Sequence, residues 1–122
     1  MKSTFKGFGR ILHAFKYSFD GFVAAFKTES AFRQDLLFCL FFAAVLFFVP
    51  ADLTKRLLMG MSLFLILFAE LVNTAIEAVV DRISDDWHEL SKKAKDVGSL
   101  LVLLSFINMA VIWGAVLYGL YF

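Results

Sequence analysis

Charge, proline and cysteine are all scarce in this sequence. Of its 122 residues, 19% are charged, one is proline (Pro50) and one is cysteine (Cys39). Soluble domains carry roughly a quarter charged residues, so a broad solvated surface is excluded for most of the chain. A single cysteine excludes an intramolecular disulfide, and Cys39 lies in an apolar run where its role is packing. The net charge of +1 gives no basic field, which argues against a nucleic-acid partner. There is no glycine–lysine phosphate loop and no Ser-His-Asp arrangement. His13 and His88 stand far apart and lack metal-ligand spacing. Internal repeats and low-complexity tracts are also missing. What is abundant is apolar: 61% hydrophobic residues, 16 Phe, and a mean hydropathy of +0.78.

That composition, at a length suited to one domain over 1–122, predicts an all-α membrane protein. Residues 1–30 read as an amphipathic interfacial helix. Phe5, Phe8, Ile11, Leu12, Phe15, Phe19, Phe22, Val23 and Phe26 recur at steps of three and four, with Lys2, Lys6, Arg10, Lys16 and Lys27 between them. Gly7, Gly9 and Gly21 raise the option of two shorter helices. Transmembrane helices are expected at about 31–49, 57–81 and 97–121, with a charged loop at 82–96. The first is short, and Pro50 and Asp52 end it. The third carries no charge from Val97 onward, and Trp113, Tyr118 and Tyr121 fit an aromatic belt at its far end. No secretory leader is expected, because the first apolar run begins near Leu36. Lys and Arg number six in 1–35, two in 50–56 and four in 82–96. The positive-inside rule therefore puts the N-terminus and the 82–96 loop in the cytoplasm.

One span is chemically out of place. On a helix turning about 100° per residue, Glu77 and Asp81 each fall about 20° from Glu70, on opposite sides, and Asn73 about 60° away. Glu70, Asn73, Glu77 and Asp81 thus share one face. An acid at the centre of a membrane helix costs roughly 3 kcal/mol even on lenient scales, so its functional default is a site. Structural roles compete: a protonated Glu bonded to a neighbouring helix, or an Asp81 that is merely interfacial. Two carboxylates and an amide can hold a divalent cation and supply a general base. Glu29, just ahead of the first span, is a further candidate ligand or simply a solvated charge. The cations of the 82–96 loop could hold phosphates, or only obey the positive-inside rule. A chain this short encloses little interior of its own, so neighbouring subunits are expected around such a site.

Three stretches carry a resemblance to a known family: AFRQD at 31–35 preceded by Glu29, ELVNTAIEAVVDRI at 70–83, and HELSKKAKDVGS at 88–99. Together they resemble the prokaryotic integral-membrane diacylglycerol kinases, over nearly the whole chain. The resemblance implies a homotrimer of three-span subunits in the bacterial inner membrane. It implies transfer of the γ-phosphate of MgATP to the hydroxyl of diacylglycerol, giving phosphatidic acid for phospholipid recycling. It makes Glu70 the general base with Asn73 beside it, and Glu29 and Glu77 the Mg²⁺ ligands. Nucleotide contacts fall on Arg10, Tyr17, Glu29, Glu77, Asp86, Trp87, His88, Lys95 and Asp96. Lipid-substrate contacts fall on Arg10, Ala14, Phe15, Ser18, Phe19, Val23, Phe26, Ala31, Phe32, Asp35, Arg56, Glu70, Ser99 and Trp113, with membrane lipids as further partners.

This sequence departs from the family pattern in places. Lys16, Phe19 and Asp20 stand where a glycine, a tryptophan and a basic residue are expected, and Trp87 where tyrosine is usual. The family also contains undecaprenol kinases, which more often carry a proline after the histidine at 88. The HELS run beginning at His88 resembles the diacylglycerol-specific members. Two readings from other classes are a non-enzymatic small membrane protein, such as a pore former or assembly factor, and an ion or proton channel. The first leaves the Glu70/Asn73/Glu77 stripe without a purpose. The second leaves the basic cluster at 92–95 unexplained.

Overall fold

A computed structural model describes residues 6–122. Lys2 and Phe5 of the expected amphipathic segment lie outside the described residues. Four helices follow one another: α1 Gly7–Thr28, α2 Ser30–Leu46, α3 Leu53–Ile83 and α4 Glu89–Tyr121. α3 is the centre of the bundle. It packs most extensively on α4, less on α2, and α1 meets α2 over a small patch.

α1 is one helix, not two. Gly9 and Gly21 sit inside it with open space around them, and only Gly7, at φ +64°, marks a break, at the helix start. The chain then turns on a single extended residue, Glu29 (φ −113°, ψ 104°), with neither glycine nor proline to help. The terminal carbonyls of α1 need partners for that turn to hold. Arg33 supplies them from α2, donating to Phe26 O at 2.6 Å and Lys27 O at 3.2 Å. Phe32, almost fully buried, sets its ring edge-on to Phe22 at 5.8 Å and ties the two helices together.

α2 has 17 residues, a length of about 26 Å. The expected 31–49 span is therefore helical only to Leu46, and Phe47–Phe48 form a turn into Pro50. α3 and α4 are longer than expected, at 31 and 33 residues. α3 starts at Leu53 because the Asp52 carboxylate caps it, accepting from Lys55 N at 2.9 Å. α4 starts at Glu89, where His88 Nδ1 accepts from Leu90 N at 3.0 Å. The charged loop expected at 82–96 thus shrinks to residues 84–88. The run ELSKKAKD contains no helix breaker, and Lys92 pairs with Asp96 one turn on.

α3 and α4 are each long and apolar enough to cross a membrane. With the exposed Leu, Phe and Ile side chains that line their outer faces and that of α2, they make the chain an all-helical membrane protein. The core lies between α2, α3 and α4, around Cys39, Met59, Leu63, Ile66, Met109 and Trp113. Trp113 belongs to this core rather than to a belt. It is 5% exposed, and its indole N–H is shared between Met59 O (3.2 Å) and Ser62 Oγ (3.1 Å). A tryptophan in an apolar helix satisfies its N–H either in the headgroup layer or on an internal acceptor; here Ser62 and Met59 provide the acceptor. Tyr118 and Tyr121 remain exposed, as a belt requires.

Candidate functional site

The α3 stripe is built as its periodicity predicts, and its members differ in surroundings. Glu70 is 5% exposed, the one buried acid among the described residues. Asp35 of α2 meets its carboxyl, and Glu77 and Glu29 lie within electrostatic range. One α-turn toward the loop, Asn73 Nδ2 donates to Glu77 Oε1 at 3.1 Å. Asn73 Oδ1 is buried without a partner. A further turn on, Asp81 accepts from Lys95 Nζ of α4 at 2.7 Å. Acid, amide, acid and ion pair therefore descend one face of α3, from the apolar zone to the loop.

At the loop end, Asp81, Asp85, Asp86, Trp87, His88, Ser91, Lys92, Lys95 and Asp96 surround a cavity of about 450 Å³. The turn holding it is local: Ser84 Oγ accepts from Asp86 N at 3.0 Å. Five of the expected nucleotide residues, Asp86, Trp87, His88, Lys95 and Asp96, meet in this one cavity. Arg10 and Tyr17 are exposed on α1 and do not line it. A second cavity, of about 460 Å³, lies between α1 and α3. Ser18, Phe22, Thr28 and Glu29 form one wall, and the small side chains of Thr74, Ala75 and Ala78 the other. Glu29 thus opens beside the face of α3 that bears Glu70 and Glu77.

Other expected residues are scattered. Ala14, Phe15 and Phe19 are exposed on α1, Val23 and Asp35 half-buried, Phe26 and Ala31 exposed, and Phe32 is a packing residue. Arg56 sits at the opposite end of α3, roughly 21 Å along the axis from Glu70, where its guanidinium donates to Val49 O at 2.8 Å. Ser99 is exposed beside Gly98. Trp113, in the core, offers no surface to a lipid. The residue that sequence reasoning passed over is Gly98, inside the third resembling stretch, where α4 lies against Asn73. A glycine in an otherwise helix-favouring run was the signal.

No cluster of three His, Cys, Asp or Glu side chains able to hold a metal forms among the described residues. A pair of carboxylates supplies hard oxygen donors of the kind that Mg²⁺ takes when phosphate oxygens and water complete its shell. Glu77 and Glu29 fit that partial donor set.

A comparison with protein families matches residues 16–117 to the one described as prokaryotic diacylglycerol kinase. The chain belongs to the prokaryotic diacylglycerol kinase family. Curated relatives agree along nearly their whole length. The diacylglycerol kinase of Escherichia coli K12 is 40% identical over 119 residues, 98% of each chain. That of Pseudomonas aeruginosa is 43% identical over 120 residues, 96% of this chain and 98% of the relative. That of Haemophilus influenzae is 37% identical over 112 residues, 92% and 95%. A kinase family brings a nucleotide substrate and, as a rule, a divalent cation, and both requirements suit the acidic stripe and the cation-bearing loop cavity.

Proposed function

We propose that this protein is a diacylglycerol kinase that moves the γ-phosphate of MgATP onto the lipid hydroxyl, giving phosphatidic acid. The observation that carries the reading is Glu70: a buried carboxylate in an apolar helix, continuous through Asn73 and Glu77 with the polar cavity at Asp81–Asp96. The acceptor hydroxyl sits at membrane depth and the nucleotide in water, so a site joining them must run along a helix. The α3 stripe does.

In this reading α1, α2 (with its turn to Val49), α3 and α4 place the chain in the inner membrane as three spans and an interfacial helix. The N-terminus and the 84–88 loop face the cytosol, and three copies assemble. Phosphoryl transfer leaves little covalent work to the protein beyond positioning and charge stabilisation. Lys95, His88 and their neighbours seat the nucleotide at the loop. Glu29 and Glu77 would hold Mg²⁺, which when bound would supply neutralisation of phosphate charge. Glu70, deeper than Glu77 by about 10 Å of helix, takes the proton from the lipid hydroxyl as its oxygen attacks phosphorus. Asp35 flanks that carboxyl, and Asn73 orients Glu77. The α1–α3 cavity, with Ser18 and Glu29 in its wall, admits the lipid headgroup from the interface. Arg10 and Tyr17 reach nucleotide from α1 of a neighbouring copy.

The deciding experiment is phosphoryl transfer from labelled ATP to diacylglycerol and to undecaprenol, side by side in mixed micelles. Label in phosphatidic acid, with little in the polyprenol product, is expected. Label in the polyprenol alone would make the protein an undecaprenol kinase, and label in neither would overturn the reading.

A further inference from the structure

At Gly98, α4 lies directly against Asn73 of α3. A Cβ built on the glycine would overlap Asn73 Oδ1 and lie 3.3 Å from Asn73 Cγ. The other helical glycines are not crowded in this way. Gly9, Gly21, Gly114 and Gly119 have nothing within 4 Å, and Gly60 meets only the tip of Leu46 at 3.7 Å. Small residues at helix crossings in membranes are common simply because they let backbones approach. Here, however, the atom that fills the missing Cβ's place is polar, and it belongs to the amide that hydrogen-bonds Glu77.

That amide has one firm anchor. Its Nδ2 donates to Glu77 Oε1 at 3.1 Å, while its Oδ1 is buried with no hydrogen-bond partner. Nothing polar on the Oδ1 side fixes the amide plane, so the shape of the α4 backbone at Gly98 must do it, helped at most by a weak Cα–H contact. An amide turned over would aim Oδ1 at the Glu77 carboxylate, oxygen against oxygen. The exposed Lys95–Asp81 pair also links the two helices, about one turn nearer the loop on α4 and two turns nearer on α3.

We propose that Gly98 is a positioning residue: its missing Cβ seats the Asn73 amide, which aims the Glu77 carboxylate toward the cation. The proposal rests on Glu77 as a metal ligand. Groups that hold a ligand in place typically change metal affinity by about 10–100-fold when lost. The test uses the full chain in detergent, with Mn²⁺ as the probe ion. Its affinity in the presence of ATP is measured by electron paramagnetic resonance, alongside oligomer mass and unfolding midpoint. Gly98→Ala should weaken Mn²⁺ binding at least about tenfold with the oligomer intact, and Asn73→Ala should do the same. The double variant Asn73→Ala/Gly98→Ala, in which the new methyl group meets no amide, should be no weaker than Asn73→Ala alone. A role in helix packing only predicts that the double variant regains wild-type affinity, or that Gly98→Ala alone leaves it unchanged; either result overturns the proposal. Should Gly98→Ala fail to fold, the two Asn73→Ala variants still decide it, since wild-type affinity in either one overturns it. Glu77→Gln is the reference. Unchanged affinity there would remove the metal reading itself, and the proposal with it, whereas lost affinity there beside an unaffected Gly98→Ala would overturn the proposal alone.

Discussion

Glu70 is where the physical cost is highest. A carboxyl group buried in an apolar helix, beside Asp35 and within range of Glu77 and Glu29, is costly, and an acid in that position is by default a candidate for function. Glu70→Gln keeps the shape and removes the basicity. Losing a positioned base typically costs roughly 10²–10⁴ in rate, so kcat should fall by that order while assembly and MgATP binding survive. A folded variant with near wild-type kcat would refute the role, and one that fails to fold would show Glu70 to be a packing residue. The carboxylates nearer the loop should behave differently. Glu77→Gln and Glu29→Gln should each raise the Mg²⁺ concentration needed for half-maximal activity, measured in a metal titration at saturating ATP. If both retain the wild-type metal requirement, the ligand assignment is wrong. At this scale the acids were legible in the sequence, because charged residues stand out against an apolar run and helical periodicity aligns them. Gly98 was not legible as part of the site, and Asp35, expected as a lipid contact from the resemblance, was not legible as the partner of Glu70. Their roles come from contacts between helices, which no spacing within one helix encodes.

Among the elements, α3 and α4 do most to place the site, and both extend past the apolar runs that announce them. Hydropathy locates the part of a helix that belongs in lipid, but it says nothing of where the helix ends. That end is set by capping groups such as Asp52 and His88 and by the absence of breakers through ELSKKAKD. Residues 82–96 therefore read as a loop although most of them are helical. The extension matters, because it carries Lys95 and Asp96 on a rigid scaffold facing Asp81 rather than on a loose strand. Trp113 shows the complementary ambiguity, since core and belt tryptophans look alike in one dimension. Its burial predicts that Trp113→Phe, which removes one N–H shared by Met59 O and Ser62 Oγ, costs on the order of 1 kcal/mol of stability. That would lower the unfolding midpoint in detergent with the KM for diacylglycerol unchanged. A raised lipid KM at unchanged stability would instead make Trp113 a lipid contact.

The isolated chain is open for its mass. It exposes 9318 Å², whereas a compact monomer of its mass should expose about 6,600 Å². Lipid accounts for some of that surface, since Leu and Phe on the outer helix faces need no protein cover in a bilayer. It does not account for the separation of the polar groups. Arg10 and Tyr17 stand exposed on α1, which touches only a small part of the bundle. The loop cavity they are expected to complete is lined by α3, α4 and the 84–88 turn alone. If they contact nucleotide, they do so in the cavity of another copy, so each site draws on two chains. In that case, two inactive proteins with lesions in different parts of the site should rescue one another when co-assembled. Glu70→Gln and Arg10→Ala preparations, each inactive alone, should regain activity after mixing, unfolding and refolding together. Random assembly of three copies leaves some sites with both residues intact, so the recovered rate should rise and then fall as the mixing ratio is varied. Two variants with lesions on the same element, Glu70→Gln with Glu77→Gln, serve as the control and should recover less if α3 of one copy supplies both. No recovery for any pair, together with a monomeric mass in detergent, would place the whole site within one chain and leave Arg10 and Tyr17 outside it.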